Sequence, residues 1–201
     1  MISSNSGLNE KYRELCTLVG HLFIAFARLE GTLSSILKVH LAQQIDQSET
    51  VESIALSSAI YGSMRFKAAR DTIKRIASSE ENSKESLDLA LKIFAQVAQI
   101  EDFRDKIAHQ QMTPAYDGAS AYWQITDVTS TRDIRNPKVY VFDSDAVGAA
   151  AEDLLIAGSR LGKNSTKTSI LSGLSSDLSP VSWHFKSSML KLVPLSKLRI
   201  P

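Results

Sequence analysis

Asp102-Phe103-Arg104-Asp105-Lys106-Ile107-Ala108-His109 sets four charged side chains and an imidazole beside two apolar anchors. An imidazole accepts or donates a proton, and a guanidinium is a rigid fork of donors that fits phosphate oxygens. These residue types suit cleavage of RNA by its own 2′-hydroxyl. His109 would accept or donate a proton, and Arg104 would stabilise charge developing on the phosphoryl oxygens. On a helix, Asp105 and His109 are neighbours four apart, so the carboxylate can orient the ring. Arg104, five residues before His109, is offset around the helix but long enough to lean toward the same phosphate. One histidine cannot comfortably serve both ends of the reaction, which is why an enzyme of this kind is expected to be a homodimer that shares two motifs across a cleft. The same residues admit a plainer reading. A histidine in the last turn interacts favourably with the helix dipole, Asp105 is then its salt-bridge partner, and Arg104 and Lys106 are solvated cations.

The elements that must position this segment are mostly helical. Leu15, Val19, Leu22, Phe26, Leu29, Leu33, Ile36 and His40 recur at three- and four-residue steps, which predicts a first long helix over 8–43 with one face packed on other helices. Ser48-Glu49-Thr50-Val51-Glu52 reads as a capped restart that runs toward Tyr61-Gly62-Ser63-Met64, and a further helix spans 65–76. Leu87, Leu91, Phe94, Val97, Ile100, Phe103 and Ile107 mark the helix that carries the motif. A break near Gln99-Ile100 would put Arg104 close to a new helical start, and Pro114 and Gly118 end the helical regime.

The period then changes to that of strands. Residues 121–128 and 138–142 are β-branched and aromatic, separated by the polar stretch 129–137, which predicts a hairpin. Asp143 or Ser144 caps a last helix through Val147, Ala151, Leu154, Leu155 and Leu161, with Gly162 as its stop. The final 39 residues are Ser-rich yet hold Leu171, Leu174, Leu178, Trp183, Phe185, Leu190, Leu192 and Leu195, too much apolar material for a free linker. They are expected to lie along the bundle or a partner subunit.

Composition narrows the function classes. A net charge of +1 argues against a protein that coats nucleic acid over its whole surface. From Lys163 onward there are six Lys or Arg against one Asp, while the first 162 residues carry 17 basic and 21 acidic groups, so attraction for a polyanion is expected at the tail or in a local cleft. The apolar run 22–27 falls far short of the roughly 20 residues that span a bilayer, and no membrane is expected. The start lacks the basic and apolar regions of a secretory signal, so the expected location is cytoplasmic. The lone Cys16 reads as a packed thiol, and His21 and His40 as packing or surface residues rather than metal ligands. His184, between Trp183 and Phe185, can stack on a base or help dock the tail. Glu30 lies near the first packing stripe and is a candidate accessory carboxylate, or else a structural ion-pair partner, while Arg28 reads as solvated. No Gly-rich phosphate loop or dinucleotide fingerprint is present.

Arg104-Asp105-Lys106-Ile107-Ala108-His109 resembles the Arg-Asn-x-Ile-Ala-His form of the HEPN marker, in which four to six residues separate Arg from His. Ala25-Phe26-Ala27-Arg28-Leu29-Glu30 on the first helix and Gly62-Ser63-Met64-Arg65-Phe66 also resemble features of that family, over about residues 10–160. The resemblance implies an up-and-down antiparallel helical bundle over 1–162, with the hairpin at 121–142 as an insertion and 163–201 as a docked C-terminal extension. It also implies a metal-independent ribonuclease without a cofactor, of a toxin, antiphage or RNA-processing type, usually dimeric and sometimes held by a protein antitoxin or regulatory partner. Many relatives have no known activity, so a noncatalytic scaffold or protein-binding module is the alternative. Carried over residue by residue, Arg104 and His109 match the catalytic pair and Asp105 the polar position between them; Lys106 and Glu30 are accessory candidates from their charge and placement alone. Asp105 departs from the usual Asn. Its negative charge would repel phosphate unless Arg104 and Lys106 offset it.

Overall fold

With no proline to interrupt it, the chain from Ser4 to Asp46 forms one helix, α1, which extends past both ends of the expected 8–43. The computed structural model describes residues 4–46, 55, 59, 64–80, 84–117, 120–127, 138–162 and 181–193. Along α1, Leu15, Leu22, Phe26, Leu29, Leu33, Ile36 and Leu37 are buried, while Val19 and His40 are half-buried. Cys16, expected to pack, is exposed. It follows buried Leu15 by one residue, a rotation of about 100° that turns it off the apolar stripe.

Among the described residues, three more α-helices have defined bounds: α2 (Phe66–Ser79), α3 (Lys84–His109) and α4 (Ser144–Gly162). Of the restart expected after Ser48, only Ala55 and Ala59 are described, and both are helical. The described chain is mainly α, with its helices in up-and-down order and a small antiparallel sheet whose first three strands lie between α3 and α4 and whose fourth follows α4. The expected break near Gln99-Ile100 is absent. Val97, Ile100, Phe103 and Ile107 continue one buried stripe, and neither Gly nor Pro interrupts the hydrogen-bond ladder. Arg104 therefore sits inside the last two turns of a long helix rather than near a new start.

Among the described residues the sheet has four strands, in the order β1 (Gln111–Asp117), β2 (Ser120–Asp127), β3 (Lys138–Phe142) and β4 (Lys191–Val193). The expected hairpin is β2 and β3, paired antiparallel with Trp123 opposite Phe142 and Asp127 opposite Lys138. Gly118 and residues 128–137 lie outside the described residues. Two strands enlarge that hairpin. β1 contains Pro114, which cannot donate to a ladder, and it is accommodated because β1 is an edge strand. β4 comes from the tail and pairs with β3 through Tyr140 opposite Leu192. Among the other apolar tail residues, Leu171, Leu174, Leu178 and Leu195 lie outside the described residues.

The chain divides into two compact units. The first comprises Met1–Ile24, Ala98–Asp153 and Trp183–Pro201 and contains the sheet. Its core gathers Phe103, Trp123, Ile125, Val139, Phe142, Val147 and Phe185. Trp123, Ile125, Tyr140 and Phe142 share one sheet face by register. The Phe103 ring meets Phe142 edge-on at 5.3 Å, and Tyr12 of α1 tilts against Trp123 at 5.6 Å. At the head of α4, Asp143 caps the helix by accepting the Ala146 N–H at 3.0 Å.

The second unit comprises Ala25–Val97 and Leu154–Ser182. Here Phe26 meets Phe66 at 4.3 Å and His40 pairs with Glu80 at 3.6 Å, so α1 and α2 advance in the same direction. A Cβ added at Gly158 would lie 3.9 Å from Leu29, and one at Gly162 3.4 Å from Thr32, which puts α4 close along α1 in this unit.

Because Phe103 is wholly buried against two other rings, Phe103→Ala is expected to cost about 3–5 kcal/mol. Urea unfolding followed by circular dichroism measures it, and a loss below about 1 kcal/mol would contradict this packing.

Candidate functional site

The last turns of α3 present the motif. Phe103 and Ile107 are buried and fix the helix, so the residues between and after them face outward in a set order. Arg104 is half-buried, with 21% of its side chain exposed, and its Nη1 lies 2.9 Å from Asp105 Oδ1. Lys106 pairs with Asp102, four residues back, and its ammonium lies 5.4 Å from the centre of the Tyr140 ring. That placement combines an ion pair with a cation–π contact. His109 is the last residue of α3 and is exposed. Among the described residues its ring has no hydrogen-bond or ion-pair partner.

The pairing differs from what spacing alone suggests. Asp105 engages Arg104 rather than His109, and Lys106 engages Asp102. Each acid of the segment is thus matched by a cation. Of the two cations expected to offset Asp105, only Arg104 pairs with it, because Lys106 is engaged by Asp102. A guanidinium carries five donors in a fork, so an ion pair through one nitrogen is compatible with a second anion on the same group. Between Arg104 and His109 the helix rises about 7.5 Å and turns about 140°. An anion must lie along the helix end to meet both.

Glu30 is exposed on α1 within the second unit, as is Arg28. His21 is exposed, and the His40 contact with Glu80 ties α1 to α2. Among the described residues no group of three His, Cys, Asp or Glu side chains is arranged to hold a metal ion.

Sequence reading missed Asp153. On α4 it is fully buried, yet its carboxylate accepts the His184 N–H through Oδ1 at 2.9 Å and the Phe185 N–H through Oδ2 at 2.9 Å. His184 Nδ1 lies 3.2 Å from the same Oδ1, and Glu152 Oε2 is 3.8 Å from that nitrogen. A buried carboxylate is tolerated because these donors replace its lost water. The signal was present in the sequence. Asp153 falls within the apolar series Ala146, Ala150, Leu154 and Ala157, where a charge at a core-facing position demands a partner from elsewhere in the chain. Phe185, next to His184, is buried and stacks on Phe103 at 5.2 Å and 16°.

No model of a known protein family matches the chain, nor does any curated protein or solved structure.

Replacing Asp153 by Ala strands two backbone N–H groups that now share a buried acceptor. Asp153→Ala is expected to cost about 2–4 kcal/mol, with amide exchange at His184 and Phe185 accelerating more than across α1. Equal acceleration everywhere would show that Asp153 does not hold this segment locally.

Proposed function

We propose that this protein is a metal-independent endoribonuclease of HEPN type in which Arg104 and His109 carry the chemistry. The supporting observation is the placement of His109. It ends a helix locked into the core by Phe103 and Ile107, is exposed, and is not engaged by another described residue. Its ring is therefore open to a substrate, and Arg104 about 1.4 turns earlier can meet the same phosphodiester. The 2′-oxygen attacks phosphorus, the bond to the 5′-oxygen breaks, and the products are a 2′,3′-cyclic phosphate and a 5′-hydroxyl. Arg104 stabilises the charge on the nonbridging oxygens, and His109 transfers one proton. A second group must transfer the other. Uncontrolled RNA cleavage would be toxic, so a protein antitoxin or regulatory partner fits the same proposal.

A second reading draws on the Arg104–Asp105 contact, in which the guanidinium is held by its own neighbour at 2.9 Å. On that reading the motif is a charge-balanced helix end, and the protein is a noncatalytic helical module that recognises another protein. The two readings separate in a cleavage assay on single-stranded RNA in the presence of EDTA. The ribonuclease reading expects cleavage by the wild type and a loss of about a hundredfold or more in His109→Ala and in Arg104→Ala. Both variants should keep wild-type circular dichroism. Cleavage unchanged in either variant, or no cleavage by the wild type, would favour the scaffold.

A further inference from the structure

The reaction just described needs a second proton-transfer group. We infer that His184, oriented by the buried carboxylate of Asp153, is the general base that takes the 2′-hydroxyl proton, while His109 protonates the leaving 5′-oxygen. This inference rests on the ribonuclease reading and adds to it a source for the second group within the same protomer.

Three observations carry it. The first is tautomer. Asp153 is fully buried and accepts two backbone N–H bonds, and a carboxylate can only accept, so the 3.2 Å contact with His184 Nδ1 requires a proton on that nitrogen. In the neutral ring, Nε2 then carries the lone pair. The second is access. The His184 side chain is 45% exposed while its partner carboxylate is not exposed at all, so the ring is anchored at one nitrogen and open to solvent elsewhere. A carboxylate so placed holds the ring in one tautomer and stabilises the imidazolium that forms when Nε2 takes a proton. The third is location. His184 and the Arg104–His109 motif belong to the same compact unit, and the segment bearing His184 is laid on α3 through the stack of Phe185 on Phe103. Arg104 and His184 are the immediate chain neighbours of those two rings. The exposed Lys186 lies two residues beyond His184, while the exposed carboxylate of Glu152 is 3.8 Å from His184 Nδ1 on the anchored side of the ring.

The step balances without a co-reactant. His184 Nε2 accepts the 2′-hydroxyl proton as the bond from the 2′-oxygen to phosphorus forms. The bond from phosphorus to the 5′-oxygen breaks, and that oxygen receives a proton from His109. Exchange with water resets both rings.

The test compares the full-length wild type, His184→Gln and His109→Ala on a single-stranded RNA oligonucleotide. A counterpart oligonucleotide carries sulfur in place of the bridging 5′-oxygen at one linkage. Sulfur leaves without protonation, so it rescues loss of the acid and not loss of the base. The expected result is that His184→Gln lowers kcat by about a hundredfold or more with little change in KM and gains nothing from sulfur. His109→Ala should recover on the sulfur substrate. Wild-type kcat in His184→Gln, or its rescue by sulfur, overturns the inference while leaving the ribonuclease reading intact. No cleavage by the wild type overturns both. Should His184→Gln fail to fold, 15N spectra of the wild type with an all-2′-deoxy oligonucleotide decide. A neutral ring protonated at Nδ1, with Nε2 shifting as the oligonucleotide is added, supports the assignment. A ring protonated at Nε2, or one that does not respond, overturns it.

Discussion

Burial of the Phe103 ring is the constraint on which the first unit depends. That ring meets Phe142 from the end of β3 edge-on and Phe185 from the C-terminal segment face to face, so one side chain of α3 joins helix, sheet and tail. Both geometries suit the aromatic quadrupole, and both bury large apolar surfaces. Arg104 follows Phe103 directly, and Ile107 seats the next turn. The orientation of the chemically capable residues is thus a consequence of apolar packing. A rigid helix end can hold an exposed histidine in place without any bond to the ring itself.

Two kinds of electrostatic pairing sit on this frame, and they differ in what they can accomplish. Arg104 with Asp105, and Lys106 with Asp102, are pairs with one partner open to water, where solvent screens the attraction and the net contribution is small. Their effect is to balance charge along α3 and to keep Lys106 over Tyr140. Asp153 is different. With no exposure, its carboxylate needs donors from the chain, and it finds them in the backbone of residues 184 and 185. Removing these donors would leave a buried charge uncompensated, which is strongly destabilising. The C-terminal segment is held to α4 by hydrogen bonds, to α3 by ring stacking and to β3 by strand pairing.

Much of the fold is legible where periodicity is strong. The stripe on α1, the apolar series of α3 and the capped start of α4 at Asp143 follow from spacing and cap chemistry, because helix burial repeats every three to four residues. The β2–β3 hairpin follows from its alternating, β-branched content. β1 was hidden by Pro114, which reads as a terminator until the strand is known to lie at an edge. β4 was hidden by its length, since three residues show no period and gain their structure only from the β3 backbone. The break expected near Gln99-Ile100 does not form, because buried Ile100 and Phe103 continue one apolar stripe along α3.

By itself the sequence determined which residues could do chemistry and which faces had to be buried. Arg104 and His109 on an amphipathic helix, the mainly helical class and the hairpin are all consequences of residue type and short-range spacing. Tertiary structure decided what each charged group touches. Asp105 is four residues from His109 and next to Arg104, and spacing permits either partner; in the folded chain it engages Arg104. Asp153 and His184 are 31 residues apart, with no periodicity to relate them. Only the folded chain brings them together, because a carboxylate buried with α4 must recover its lost hydration from backbone and imidazole donors supplied by a distant segment.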